Sequence, residues 1–354
     1  MFDFGFHFFG NSSGGLVPPP PSTDFIIKVK TDNDGTSEDN QFTLPTTSIG
    51  STVYDYDVDW GDGVVENITV SDSQTHTYST AGIYTIKISG RFERIYFNNG
   101  GDKLKLIETV NFGDVGWRFF AQAFNGCTNN VINPNCTGNF DLVTTAEVAW
   151  GNNTSNDFFP AIDMPLCTNF RACWSNNNLT DFPLINMGSA TNLQSAWSNN
   201  NLDTFPAIDL PNATNFILTW DNNNLTDFPL INMGSATSMR STWSNNNLDT
   251  FPAIDLPNAT NMSGAAEGAW ANNGVMSSFS CRNFFNVSIA TRLFFGTTLP
   301  TSDYSDILVT QRANNVNTGI SFHGGNSKYN PAGGVAREEL VSIQSWSIID
   351  GGAE

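Results

Sequence analysis

Residues 190–209 read ATNLQSAWSNNNLDTFPAID, and this stretch decides the fold because it recurs along the chain with a step of 23 residues. Its large apolar residues hold the same position in each copy. They are Trp174, Trp197, Trp220 and Trp243, then Phe159, Phe182, Phe205, Phe228 and Phe251, and Ile162, Ile185, Ile208, Ile231 and Ile254. A fixed period of this length indicates a solenoid, in which each repeat buries its apolar face against its neighbours.

Two versions of the repeat alternate. One ends in LDTFPAID and the other in LTDFPLIN, so the near-identity extends over two units, or 46 residues. This pattern indicates tandem duplication and predicts a parallel right-handed solenoid over residues 103–300, with the tryptophans in one interior column. The Asn triplet after each tryptophan predicts a stacked asparagine ladder at a bend, because Asn amides satisfy backbone groups and Asn tolerates left-handed backbone.

The first unit is degenerate. Phe124 takes the tryptophan position in the stretch AFNGC, and Cys127 falls where later units have asparagine. This stretch, with the Leu and FPxI of later units, resembles the BspA-like leucine-rich repeats and their AFxxCxxLxxI core. The resemblance implies a leucine-rich-repeat solenoid of units of about 23 residues over residues 96–300. The regular units depart from that family by placing Trp for Phe and Asn for Cys.

The part before the repeats reads as short strands. FIIKVKT at 25–31 is apolar and β-branched, VYDYDVDWGDG at 53–63 alternates and stops at a turn, and residues 74–90 add two more strands around a glycine. Together they predict a small β-sandwich over residues 23–95, with a core that is local in sequence. Few contacts are therefore expected to cross to the repeats.

Three short motifs in this part carry a family resemblance. WGDG at 60–63, HTY at 76–78 and GIY at 82–84 resemble the PKD family of immunoglobulin-like domains. The resemblance implies an Ig-like sandwich that acts as a spacer or binding module and not as an enzyme.

The two ends differ from the body of the chain. Residues 1–22 combine an aromatic peptide with a Gly/Ser stretch and a proline run, and its phenylalanines are Phe2, Phe4, Phe6, Phe8 and Phe9. We expect these rings to anchor the chain in a partner subunit, since aromatics dominate interface anchoring; the alternative is that they pack back on the chain's own body. No secretory signal is recognised there.

Residues 301–354 are predicted to form a small α/β cap over the end of the stack. The pattern predicts a helix from about Ser302, a glycine-rich loop over 319–334, a second helix over 335–344 and a final strand in WSIIDGG at 346–352. A solenoid needs such a cover because its last unit has no neighbour to bury its apolar face.

Composition limits the classes of partner. Only 14 % of residues are charged, and 34 acidic against 15 basic residues give a net charge of −19. There is no basic cluster, so we expect neither nucleic acid nor anionic membrane as a partner, because phosphate binding needs concentrated Lys and Arg. No apolar run reaches the length of a membrane span. The five cysteines are odd in number and lack metal-site spacing, so we expect free thiols packed as small apolar residues.

Polar residues flank the buried positions of each repeat. Stacked at about 4.8 Å per unit, they would form one polar strip, which is a candidate binding surface for a glycan or a protein; the other interpretation is a solvated face. The strip consists of Thr180, Asp181, Asn186, Asp203, Thr204, Asp209, Thr226, Asp227, Asn232, Asp249, Thr250 and Asp255.

Signals for catalysis and metal binding are weak. The only histidines are His7, His76 and His323, and no Ser/His/Asp spacing is present. Asp57, Asp59 and Asp62 are a candidate for Ca²⁺, but they lack the dense ligand spacing of a calcium loop. We therefore expect no catalytic residue, no metal and no cofactor, and we interpret the three aspartates as a polar turn.

The chain as a whole, with its PKD-like part, Trp-containing repeats and GGNSKYN…WSIIDGG ending, resembles structural and fibre proteins of tailed bacteriophages. The resemblance implies a multimeric, non-enzymatic protein of the virion surface, assembled in the host cytoplasm. Its partners would be other virion subunits, through the N-terminal peptide, and a host-surface glycan or protein. Two alternatives stay open: a bacterial BspA-like surface adhesin, and a tail-associated polysaccharide depolymerase.

Overall fold

The computed structural model describes residues 23–50, 52–264 and 267–354. Within these residues the chain is mainly β, with two helices of 14 and 12 residues. The predicted anchor residues Phe2, Phe4, Phe6, Phe8 and Phe9 lie outside the described residues.

Eight strands form the N-terminal part. In the first three, every second side chain is buried, because one sheet face covers the core; in the third, Tyr54, Tyr56 and Val58 are buried while Asp55 and Asp57 are exposed. The strands are β1 (Phe25–Lys30), β2 (Gln41–Leu44), β3 (Tyr54–Asp59), β4 (Val65–Ile68), β5 (Gln74–Thr77), β6 (Ile83–Phe92), β7 (Leu106–Asn111) and β8 (Val131–Ile132).

These strands make a six-stranded sheet in the order β4-β3-β6-β1-β7-β8 and a two-stranded sheet of β2 and β5. All neighbours in the larger sheet are antiparallel except β7 and β8, which are parallel. The parallel pair is where the sheet passes into the stacked units.

The expectation that few contacts cross residue 95 is wrong. Strand β1 pairs with β6 on one side and with β7 on the other, so the sheet continues across the predicted domain boundary. Two buried charges add to this connection. The Asp102 carboxylate accepts the backbone N–H groups of Ser37 at 3.0 Å and Thr43 at 2.7 Å, and Lys105 Nζ donates to the Gln41 carbonyl at 3.0 Å.

Successive 23-residue units lie side by side in parallel register. A column of single-residue parallel bridges runs through them, and each bridge joins equivalent positions of neighbouring units. The column is Phe119, Thr145, Asn169, Asn192, Asn215, Ser238, Asn261 and Ile289. Beyond each bridge, alternate N–H groups donate to the next unit, as Leu193, Ser195 and Trp197 do. The backbone polar groups are therefore satisfied between units, with few long strands.

The tryptophans form the predicted interior column, which is confirmed. Trp197 is fully buried, and its ring stacks on Trp174 at 5.3 Å and on Trp220 at 5.7 Å between centroids. A parallel phenylalanine column meets it edge-on, with Phe205 at 4.9 Å from Trp197. Both columns continue through the stack, and Phe124 and Phe294 take the tryptophan place at its two ends.

Four short strands lie near the end of the repeats. Two parallel pairs join neighbouring turns of the chain there, and both are only two residues long. The strands are β9 (Thr250–Phe251), β10 (Gly274–Val275), β11 (Ser278–Phe279) and β12 (Thr297–Thr298).

The C-terminal part continues the stack by two turns. Helix α1 (Thr301–Asn314) and helix α2 (Pro331–Ser342) occupy the place in their turns that the Phe-Pro segment has in the regular units. The parallel strands β13 (Ser321–His323) and β14 (Ser347–Ile349) extend the bridge column, since Ala290 bridges Phe322. Both predicted helices and the final strand are present. The predicted glycine-rich loop at 319–334 is wrong in extent, because it contains β13 and the first turn of α2.

Candidate functional site

All twelve residues of the predicted polar strip are exposed. Along each unit they fall at two places, one directly before and one after the Phe-Pro segment, and we call these the two polar columns. That all twelve make one binding strip stays a prediction. The first column contains Thr180, Asp181, Asp203, Thr204, Thr226, Asp227, Asp249 and Thr250. The second column contains Asn186, Asp209, Asn232 and Asp255.

An apolar column lies between the two polar columns. Alternate units place leucine and alanine at the residue after the proline, and every one of these side chains is exposed. They are Ala161, Leu184, Ala207, Leu230 and Ala253. Leu184 is 68 % exposed and Leu230 66 %, which makes them ridges separated by alanine hollows. The alternation of FPA with FPL was the signal for this surface, and the sequence interpretation used it only for the polar residues.

The two versions of the unit differ in backbone conformation at this face. In the FPAID version, the isoleucine N–H donates to the proline carbonyl two residues earlier, which is a γ-turn centred on the alanine. Ile208 makes this bond to Pro206 at 2.8 Å, and Ile254 makes it to Pro252 at 2.9 Å. The FPLIN version has no such bond among the described residues, so its leucine does not lie at the centre of a γ-turn.

Units join in pairs through the second polar column. The Asp209 carboxylate accepts the Asn232 backbone N–H at 2.7 Å, and the Asn232 carbonyl accepts from Leu210 N at 2.9 Å. Asp163 and Asn186 make the same carboxylate contact one pair earlier, also at 2.7 Å. We call this contact, from an Asp-ending unit to the following Asn-ending unit, the paired junction.

The junction from an Asn-ending unit to the following Asp-ending unit is different, and we call it the open junction. Among the described residues, no equivalent bond joins Asn186 to Asp209 or Asn232 to Asp255. A groove opens at each place. The first has a volume of about 270 Å³ and is lined by Leu184, Asn186, Ala207 and Asp209 among others. The second, of about 580 Å³, is lined by the equivalent residues Leu230, Asn232, Ala253 and Asp255.

The Asn triplets build a structural ladder at the opposite side of each unit. The first Asn is left-handed, with φ of 55° at Asn176 and 58° at Asn199, and the Asn199 amide donates to Asn176 Oδ1 at 2.9 Å. The second is buried: Asn200 Nδ2 donates to the Trp174 and Trp197 carbonyls, at 2.9 and 3.1 Å. These contacts confirm the predicted ladder and give it a packing role.

One substitution interrupts the ladder. Asp221 stands where neighbouring units have Ser198 and Ser244, and its Oδ1 accepts from Asn245 Nδ2 at 2.9 Å in place of an asparagine. Burial raises the pKa of the Asp221 carboxyl, and the nearby Glu267 charge raises it further against the hydrogen bonds from Ser244 and Asn245. The Asp221, Ser244 and Asn245 side chains therefore stabilise the asparagine ladder through their hydrogen bonds.

The three aspartates considered for Ca²⁺ have protein partners. Asp59 Oδ1 accepts the Gly61 N–H at 2.9 Å, Asp57 Oδ1 accepts from Asn67 Nδ2 at 2.9 Å, and Asp62 contacts His76 Nε2 at 2.9 Å. These carboxylates therefore stabilise the turn after β3 and its contacts with β4 and β5. Within the described residues, no group of three or more His, Cys, Asp or Glu side chains is arranged to hold a metal ion.

All five cysteines are free and buried, as predicted. Burial raises the pKa of the Cys136 and Cys167 thiols to about 12. The thiolate fraction at neutral pH is therefore very small, and these side chains act as apolar packing groups.

No protein-family model matches the chain, and no curated protein matches its sequence. Neither helix in the described part of the chain has the length and apolar character needed to cross a membrane.

Proposed function

We propose that this chain is a non-enzymatic structural and adhesion protein of a tailed-bacteriophage virion, as a tail fibre, tail tip or head fibre. In this proposal the stacked units are a BspA-like leucine-rich-repeat solenoid, the N-terminal strands are a PKD-like Ig sandwich, and the C-terminal turns are an α/β cap. The observation that carries the proposal is the in-register stack, which repeats the same exposed side chains in every second unit on one face.

Such a face suits recognition better than chemistry. Its exposed groups recur at a regular spacing, so a ligand that is itself repetitive or extended meets several equivalent contacts, and weak contacts gain by avidity. The Asp163 and Asp209 carboxylates already accept backbone N–H groups of the next unit, which is a structural use of an acid. A host-surface glycan or protein is the expected ligand.

The N-terminal anchor peptide is proposed to join the chain to another virion subunit. Deleting residues 2–10 should leave a folded, soluble protein that no longer enters the particle, because burying even three phenylalanine rings at about 1.5–3 kcal/mol each would hold a subunit. Deleting residues 11–15, which keeps all five phenylalanines, is the matched control and should leave incorporation intact. Normal copy number in particles that carry the 2–10 deletion would refute the anchor.

The two alternatives give different outcomes in solution. Incubating the purified chain with host capsule or lipopolysaccharide should release no oligosaccharide; release would favour the depolymerase. A bacterial adhesin would instead be found on the producing cell's surface, so localisation of the chain by antibody on cells and on particles separates that alternative from a virion protein.

A further inference from the structure

The two grooves at the open junctions lie on the exposed face of the stack, beside the leucines Leu184 and Leu230. They are equivalent in sequence and lie two units apart, and each combines an exposed leucine, an alanine and the aspartate that ends the alanine-containing unit. Asp209 lines both grooves, so the second groove has two carboxylates, Asp209 and Asp255. The feature is therefore built into the 46-residue repeat and is not an accident of one loop.

The charge of this region has no internal counterpart. Between residues 172 and 281 the sequence holds eight carboxylates and a single basic residue, Arg240. None of the ion pairs among the described residues involves Asp209 or Asp255. Each of these two aspartates uses Oδ1 for a neighbouring unit, at the Asn232 N–H and the Asn283 amide, and Oδ2 accepts no bond from the described residues.

The lining also discriminates between classes of ligand. No aromatic ring lines either groove, because the Trp and Phe rings of the units are buried. A sugar would thus find no ring to stack on. An aliphatic wall that ends in a carboxylate instead matches a side chain with a long apolar stem and a cationic head, which is the construction of lysine and arginine.

We propose that the two grooves are subsites for successive lysine or arginine side chains of a basic segment in a partner protein. The stem of each side chain lies against Leu184 and Ala207, or Leu230 and Ala253, and its charged head meets Asp209 or Asp255. Two units separate the subsites, which is about 10–12 Å from the unit spacing. Positions seven apart on one face of an α-helix are about 10.5 Å apart and fit this interval.

The repeat face of a second copy of this chain does not fit the grooves. Its equivalent face carries the same uncompensated carboxylates, so two such faces would repel each other. The inference deepens the proposed function by naming the chemistry of the ligand, but it is tested on the purified chain without any particle. Failure of peptide binding would leave anchor-dependent incorporation untouched, and the reverse also holds.

The test is binding of a fluorescein-labelled decalysine peptide to the full chain, by fluorescence anisotropy in 0.15 M salt, where charges beyond about 8 Å are screened. The variant Asp209→Asn/Asp255→Asn removes two charges and keeps an oxygen acceptor for the neighbouring N–H. Its matched control, Asp203→Asn/Asp227→Asn, removes two exposed charges from the first polar column. We expect the groove variant to weaken binding more than tenfold and the control less than twofold.

The apolar wall has its own variant. Leu184→Ser/Leu230→Ser should weaken binding at least threefold without a change in the unfolding midpoint, because both leucines are already exposed. Equal weakening by the two aspartate variants would reduce the binding to general electrostatics and overturn the proposal, as would absence of decalysine binding. Displacement of the peptide by uncharged cellohexaose would assign the grooves to glycans and overturn it too.

Discussion

The tryptophan column gives the sharpest test of how the stack is held together. Trp197 is fully buried, and four rings surround it: Trp174 and Trp220 stack on its faces, and Phe182 and Phe205 meet it edge-on at 5.2 and 4.9 Å. Trp197→Ala removes the indole and leaves a cavity that two neighbouring units cannot close. Large-to-small changes of this kind cost about 3–5 kcal/mol, and aromatic pairs add about 0.5–1.5 kcal/mol each, so we expect the upper part of that range.

The matched variant is Trp197→Phe, since the chain itself uses phenylalanine at this position. Phe124 stacks on Trp150 and Phe294 on Trp270, with ring planes within 9° and 12° of parallel. The Trp197 Nε1–H has no acceptor among the described residues. Removing a buried, unpaired N–H therefore offsets part of the lost contact area, and we expect Trp197→Phe to cost about 1–2 kcal/mol.

Urea unfolding followed by circular dichroism at the backbone bands gives both free energies of unfolding from midpoint and slope. The expected order is wild type, then Trp197→Phe, then Trp197→Ala, with at least about 2 kcal/mol between the two variants. If Trp197→Ala unfolds within about 1 kcal/mol of wild type, the column is not a main source of stability. If Trp197→Phe is as unstable as Trp197→Ala, ring stacking is the wrong explanation.

Deleting residues 187–232 removes one whole pair of units and should keep the fold. Deleting residues 187–209 instead places two Asn-ending units together and loses the Asp209 contact, which is worth about 1.5–3 kcal/mol. The shorter deletion should therefore have the lower urea midpoint, and the opposite order would contradict the pairing. A fragment of residues 23–95 should give a collapsed NMR spectrum because it lacks β7, whereas a fragment of 23–135 should give a dispersed one; a dispersed spectrum from 23–95 would show that the sheet is complete without β7. Burial alone would raise the pKa of the Asp102 carboxyl, but the hydrogen bonds from Ser37 and Thr43 and the Lys105 charge hold this pKa below its usual value. The ionised Asp102 therefore stabilises the fold above the unfolded pKa, near 3.9. This stabilisation is lost as the pH falls through the lower folded pKa. Asp102→Asn should therefore cost about 1.5–3 kcal/mol at pH 7 and less at pH 3, as measured by urea midpoints at the two pH values. A cost that does not depend on pH would show that the charge is not the stabilising feature.

Much of the fold could be predicted because single residues carried the period. Tryptophans that recur every 23 residues are all buried when the units stack in register, and the structure places them in one column. The Asn positions were equally informative, since a left-handed bend favours Asn. The equivalent left-handed positions Ala172, Ser195 and Leu218 carried no such signal, with φ of 50°, 57° and 57°. Hydrogen bonds to the neighbouring units hold them there, and no local propensity reports that.

The domain boundary could not be predicted for a related reason. Motifs such as WGDG mark turns inside the first sheet, but the partner of β1 on its second side comes from residues 106–111, which read as part of the repeats. The candidate site was missed in part because polar residues were taken as the surface. Its defining features are the exposed leucines and the open junctions. Both depend on which neighbouring units are joined by the Asp–Asn contact, and that contact exists only once the units are stacked.

The buried, stacked indoles also determine how the stack absorbs and emits ultraviolet light. Six tryptophan rings, from Trp150 to Trp270, lie nearly parallel with centroids 5.3–5.9 Å apart. At such separations the electronic transitions of neighbouring indoles couple, so an excitation is shared along the row and does not stay on one ring. The row ends in phenylalanines, which absorb at shorter wavelength and confine the excitation to the tryptophans. The near-ultraviolet dichroism of this chain therefore reports whether the row is continuous, and one broken unit divides it into two shorter emitters.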